Sequence, residues 1–242
     1  MKNNKFIVYS SGYNCAEYIK LHMSMINKQT YKNFIHIIVD DCSTDNTYNE
    51  INKYITSNTF IYKSTQNNGW LQNSTKFLIV NPNDIIILVD LDDWLAHDHV
   101  LERINKIYNE TDCWLTYGSY LMLSRNVMLG REYPENIVKE KKFREHEWLA
   151  YHPQTFKGFL WLNLDKDYFK DIDGKYMRAC YDQTILLPML EMCPYNKIKF
   201  IKEYLYVYND GNPLNIDRLN ETYQKSCEAY TRSLPRYKEY VE

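Results

Sequence analysis

Three carboxylates, Asp90, Asp92 and Asp93, crowd into four positions just after an unbroken apolar run, Ile85-Ile86-Ile87-Leu88-Val89. Like charges this close repel, and burying them unpaired is costly. A divalent cation would offset that cost, and hard oxygen ligands suit Mg2+ or Mn2+ shared with substrate phosphates. The plain alternative is a solvated acidic turn that caps the following helix. A second pair, Asp40-Asp41, closes another apolar run, Ile35 to Val39. A third acid, Asp182, opens the apolar stretch Tyr181 to Met192. A helix N-terminus favours the ionised form of such a residue. As a simple N-cap, Asp182 would be equally ordinary.

These acids must be held by strands. The runs before Asp40 and Asp90 are rich in Ile and Val, as in strands buried on both faces of a parallel sheet. Phe6 to Tyr9 gives a first strand, followed by the polar turn Ser10-Ser11-Gly12-Tyr13-Asn14. Asn14 and Glu17 have the spacing of a capping box for a helix to about Lys28, with Ile19, Met23 and Ile26 as its apolar stripe. A helix to about Tyr54, a short strand Phe60 to Tyr62, the turn Asn67-Asn68-Gly69 and a helix Trp70 to Val80 follow. Strand–helix alternation of this kind implies a parallel sheet with right-handed crossovers, and its ligands belong at the C-terminal strand edge.

Beyond Trp94 the alternation loosens. A helix His99 to Tyr108, a strand Trp114 to Leu123, a helix Phe143 to Tyr151, a strand Lys199 to Tyr208 and a helix Asp217 to Ser233 are expected. Ser124 to Lys142, with Gly130 and Pro134, reads as a loop or lid, and Phe159 to Leu164 as either strand or helix. Pro188 should kink the helix Tyr181 to Met192 or confine it to two short turns.

Composition narrows the function. A formal net charge of -2 gives no basic footprint for nucleic acid. No GxGxxG follows the first strand and no P-loop is present, so a nucleotide would be held by acids, hydroxyls and an aromatic ring. The six cysteines, Cys15, Cys42, Cys113, Cys180, Cys193 and Cys227, form no CxxC pair and suggest free thiols in a reducing compartment. The apolar run after Met1-Lys2-Asn3-Asn4-Lys5 is too short for a signal sequence, and nothing reaches membrane-spanning length. A cytoplasmic protein is expected, with peripheral membrane attachment left open. The length of 242 residues suits one α/β domain.

Four motifs in order now carry a resemblance. They are Ser11-Gly12-Tyr13-Asn14, Val39-Asp40-Asp41-Cys42-Ser43-Thr44-Asp45, Asn67-Asn68-Gly69 with Asn73, and Asp90-Leu91-Asp92-Asp93. Together they resemble the nucleotide-sugar-binding half of a GT-A fold glycosyltransferase of the family 2 type. The resemblance implies a Rossmann-like single domain over 1–242 with a mostly parallel central sheet flanked by helices. Residues 1–95 would bind the donor, and residues 96–242 the acceptor and the catalytic base. It implies an inverting, metal-dependent transfer from a UDP-sugar to a hydroxyl of a glycan, a lipid-linked saccharide or a protein. By resemblance, Ser11, Tyr13, Asp41 and Asn73 face the base, and Asp90 or Asp92 the ribose. Asp92 and Asp93 hold Mn2+ or Mg2+, directly or through water, and Asp182 is the base.

The chain departs from the family pattern in two places. Gln72 precedes Asn73 where an Arg is common, with Lys76 as a substitute, and Tyr181 stands where a Glu is usual. Asn209, Asp210 and Asn212 form a turn where the family places loops that close over the nucleotide. Two other functions share some of these features. A sugar-phosphate nucleotidyltransferase also uses carboxylate-bound Mg2+, but it needs a Gly-rich basic loop, and Ser10 to Asn14 holds one glycine and no Lys or Arg. A catalytically degenerate scaffold of the same fold would have no use for three clustered acids.

Overall fold

The computed structural model describes residues 2–215 and 219–241. The apolar runs form the expected strands. β1 (Phe6–Gly12), β2 (Phe34–Asp40), β3 (Thr59–Lys63) and β4 (Ile85–Leu88) pair in parallel in the order β3-β2-β1-β4. Alternate side chains enter two cores. Ile7, Tyr9, Ile86 and Leu88 face α3 (Trp70–Phe77), α6 (Gly158–Leu162) and α7 (Tyr181–Met192). Phe6, Val8, Ile85 and Ile87 face α4 (Val100–Thr111), and Ile38 faces α1 (Ala16–Asn27) and α2 (Thr47–Asn52). Each such fully buried side chain contributes about 1.5–3 kcal/mol.

The start of α1 differs from expectation. Asn14 takes a positive φ of 55° and its carboxamide instead accepts from the N–H groups of Thr44 and Asp45. The first turn of α1 is capped across space, by Asp45 Oδ2 accepting from Ala16 N–H at 3.1 Å. A capping box is a local device, and here a neighbouring loop supplied the acceptor first.

The second half completes the sheet with β5 (Trp94–Leu95), β6 (Leu115–Met122), β7 (Val127–Leu129), β8 (Gln154–Lys157) and β9 (Ile198–Tyr208), in the full order β3-β2-β1-β4-β8-β6-β9-β5 with β7 beside β6. β8 runs antiparallel between β4 and β6, whereas β6 and β9 form a long parallel ladder with register shifts around Ser119. By paired length the sheet is mostly parallel. The segment expected as a lid instead carries β7 and the short helix α5 (Glu135–Lys139). Phe159 to Leu164 resolves as helix, in α6.

Phe143 to Tyr151 is irregular, not helical. The Arg232 guanidinium donates to the carbonyls of Phe143, Arg144 and His146, satisfying acceptors that helix N–H groups would otherwise serve. α7 runs unbroken through Pro188, because every residue from Gln183 to Met192 is buried and packing outweighs the lost hydrogen bond. The last helix, α8 (Glu221–Ser233), begins after Asn220, and the expected start at Asp217 lies outside the described residues. No helix among the described residues is long and apolar enough to cross a membrane.

Candidate active site

β1 has β2 on one side and β4 on the other. Register sets Gly12 opposite Asp40 and Tyr9 opposite Leu88, so the chain segments after all three strands meet at one edge. The reversal of strand order there makes a topological switch point, where open α/β sheets hold ligands. Gly12 lets the acidic turn approach, since a Cβ at that position would lie 2.7 Å from Leu91 Cβ and 2.9 Å from Cys15 Sγ.

The turn closes with Asp93 N–H donating to the Asp90 carbonyl at 3.0 Å. Ligand oxygens of Asp90, Asp92 and Asp93 lie within 4.8 Å of one another. Asp90 Oδ1 accepts from Trp70 Nε1 at 2.9 Å and Oδ2 from Tyr181 OH at 2.5 Å. The Trp70 and Tyr181 rings stack, 4.2 Å apart and 7° from parallel. Asp93 accepts from Tyr206 OH at 2.6 Å and from Asn209 N–H at 2.7 Å. Asn212 Nδ2 donates to Asp92 Oδ2 at 2.7 Å. β5 pairs with the end of β9, Leu95 opposite Tyr206, and this ladder carries Tyr206 and Asn209 to the turn.

Burial, with Asp92 second, pushes the Asp90 carboxyl up to about 7. Burial, then Asp92 and Asp90, raises Asp93 well above the usual carboxylate range. No Lys, Arg or His among the described residues forms an ion pair with Asp90 or Asp93. Crowded, desolvated, oxygen-only donors of this kind fit a hard divalent cation.

The remaining predicted residues are largely gathered here. Asp41 accepts from the N–H groups of Asn68 at 2.7 Å and Gly69 at 2.8 Å, which pins the third-strand loop to the second. Asn73 Oδ1 accepts from Ser64 Oγ at 2.9 Å, and its Nδ2 donates to Ser11 Oγ at 3.4 Å. Tyr13 follows Gly12 at the rim, half-buried. Lys76 is not brought in: it sits in the last turn of α3, at the far end from Gly69, and is exposed.

Asp182 lies in the first turn of α7, close enough to Asp90 to raise its pKa. Its own carboxyl is pushed up to about 6 by burial, against the N–H of Gln183 and the indole of Trp148, which pull it down. The helix terminus therefore acts as expected, but burial outweighs it. His152, half-buried and pushed down to about 4 by desolvation, stacks on Tyr206 at 4.3 Å.

Sequence reasoning did not identify Trp70, Tyr181 and Tyr206 as partners of the acids. Tyr181 was visible beside Asp182, but its reach to Asp90 spans 91 positions.

The comparisons with known proteins agree with this arrangement. The sequence model of glycosyl transferase family 2 matches residues 11–162. Glycosyltransferase GlyG of Streptococcus pneumoniae serotype 4 is 23% identical over 206 residues, covering 81% of this chain and 67% of GlyG. The crystal structure of S. aureus TarS 1–349 in complex with UDP-GlcNAc superimposes with a TM-score of 0.63 at 18% identity, over 85% of this chain and 58% of that one. The mannosyltransferase PcManGT of Pyrobaculum calidifontis, solved with GDP-Man and Mn2+, gives a TM-score of 0.54 at 15% identity, over 87% of this chain and 58% of that one. The chain thus spans under two thirds of these two solved structures.

Proposed function

Since the chain belongs to glycosyl transferase family 2, we propose that it moves a sugar, with inversion, from a UDP-sugar to a hydroxyl of a glycan, a lipid-linked saccharide or a protein. The observation that carries this reading is the meeting of Asp41, the Asp90–Asp93 turn and Asp182 at one sheet edge. The complexes of TarS with UDP-GlcNAc and of PcManGT with GDP-Man and Mn2+ support a nucleotide-sugar donor and a metal on this fold.

In this reading the uracil ring stacks on Tyr13 and its imide N–H is accepted by Asp41. Ser11 and Asn73 line the same pocket, and Asp90 takes the ribose hydroxyls. Asp92 and Asp93 would hold Mn2+ or Mg2+. When bound, the cation neutralises charge that develops on the leaving diphosphate.

The acceptor oxygen attacks the anomeric carbon from the face opposite the diphosphate. The bond from carbon to phosphate oxygen breaks, UDP leaves with that electron pair, and Asp182 takes the acceptor proton. A base with a pKa of about 6 is mostly ionised at neutral pH yet basic enough to accept a proton. Residues 1–95 serve the donor and 96–242 the acceptor, within one domain that works in the cytoplasm.

The test is transfer from a panel of UDP-sugars by wild-type protein and Asp182→Asn. The variant should lose transfer by about 100-fold or more, the scale of a lost general base, while its affinity for UDP stays nearly unchanged. Normal transfer by Asp182→Asn would place the base elsewhere.

A further inference from the structure

Beneath the acidic turn, three polar residues without exposed surface run in a line through the sheet. The backbone carbonyl of Asp93 lies 2.7 Å from His22 Nδ1. His22 Nε2 lies 3.2 Å from Ser10 Oγ, which lies 3.0 Å from His36 Nε2. The line thus crosses from α1 through β1 to β2. Each residue is fully buried, and buried polar groups are costly unless hydrogen-bonded.

One assignment of protons satisfies the line. A carbonyl only accepts, so His22 carries its proton on Nδ1 and presents a bare Nε2. Ser10 then donates its hydroxyl proton to His22 and accepts from His36 Nε2–H. What remains is His36 Nδ1 as a lone pair, and that atom is buried without a partner. The reverse order would strand a buried N–H, the group least often left unpaired. All donors therefore point toward Asp93. Burial holds both rings neutral, His22 down to about 4 and His36 well below its usual value, so the line carries no charge at neutral pH. Trp70, Tyr181, Tyr206 and Asn212 grip the acids by their carboxylates. His22 grips the backbone that carries them.

We infer that His22, oriented by Ser10 and His36, is a positioning residue that fixes the backbone of the Asp90–Asp93 turn so that its carboxylates stand ready for a divalent cation. The inference rests on the metal-binding reading of that turn. The three crowded carboxyl groups of the turn repel one another and need outside support to hold one geometry, and outer partners of metal ligands commonly set affinity.

The test is calorimetric titration of Mn2+ into the full chain as wild type, His22→Leu, His22→Asn and Ser10→Ala, with the thermal midpoint of each. His22→Leu should bind Mn2+ about 10–100-fold more weakly. His22→Asn, whose amide N–H can stand where Nδ1–H stood, should recover most of that loss although the link to Ser10 is gone. Ser10→Ala should show a smaller loss, and it remains decisive if His22→Leu does not fold. A lowered midpoint with wild-type Mn2+ affinity in the folded variants would make the line purely structural and overturn the inference. Failure of the wild-type protein to bind Mn2+ would overturn the metal reading and the inference together.

Discussion

Glu191 and the Asp90–Asp93 turn both bury carboxylates, and they are treated in opposite ways. Glu191 is 1% exposed and meets Arg144 through two bonds, Nε to Oε1 at 2.5 Å and Nη2 to Oε2 at 2.9 Å. Tyr237 N–H adds a third, and Arg144 also donates to the carbonyls of Thr231 and Leu234. The pair ties the irregular segment after Phe143 to α7 and to the chain after α8. In the acidic turn three carboxyl groups crowd together, and Asp90 and Asp93 meet neutral donors among the described residues. A carboxylate paired with a guanidinium marks architecture, whereas crowded acids such as Asp90 and Asp93, which meet neutral donors among the described residues, mark a place kept for a ligand.

The largest expected effect breaks the architectural side. Arg144→Met leaves Glu191 buried without its counter-charge and should lower unfolding free energy by about 3–5 kcal/mol in urea titration. Arg144→Met with Glu191→Leu should regain most of that. A cost below about 1 kcal/mol for the single variant would mean that Glu191 finds solvent.

Tyr181→Phe tests the site side at smaller scale. It keeps the stack on Trp70 and removes one bond to the Asp90 carboxylate, a loss of about 1.5–3 kcal/mol by the same titration. Because that bond lowers the Asp90 pKa, the variant should also move the pH response of the metal-free protein to higher pH.

The pH response separates the two regions most cleanly. The folded-state pKa of Asp90, about 7, lies above its ordinary 3.8. The folded state therefore holds the extra proton in that window. Stability from this group is fully present below 3.8 and is lost as pH rises through 7, by up to about 1.4 kcal/mol per pH unit per proton. Metal-free protein should show midpoints that fall between pH 4 and 7, and saturating Mn2+ should flatten the fall. A metal-free midpoint that rises across this range would contradict the burial assigned to the turn.

Much of this was legible in the sequence where the cause was local. Ile85 to Val89 and Ile35 to Val39 read as buried parallel strands, which puts the acids at their ends on one edge. The helix expected over Phe143 to Tyr151 failed because Arg232, 86 to 89 positions onward, takes its carbonyls. β8 was missed because Gln154-Thr155-Phe156-Lys157 has no apolar run; its place between β4 and β6 comes from pairing alone. The aromatic partners of Asp90 and Asp93 were likewise invisible, although the turn holding Asn209 and Asn212 was placed near the nucleotide. Trp70, Tyr181 and Tyr206 reach the turn from α3, α7 and β9, and no spacing in a sequence records that convergence.

The central claim, a metal-assisted nucleotide-sugar site at the β1–β4 edge, is tested most directly by thermal-shift titration. Wild-type protein and Asp92→Asn would be titrated with UDP, GDP, CMP and ADP, each with and without Mn2+. Ligand at ~100 times its dissociation constant should stabilise the fold by about 2.7 kcal/mol. The expected result is a shift for UDP that needs Mn2+ and disappears in Asp92→Asn. No shift with any nucleotide, or an equal shift in Asp92→Asn, would contradict it.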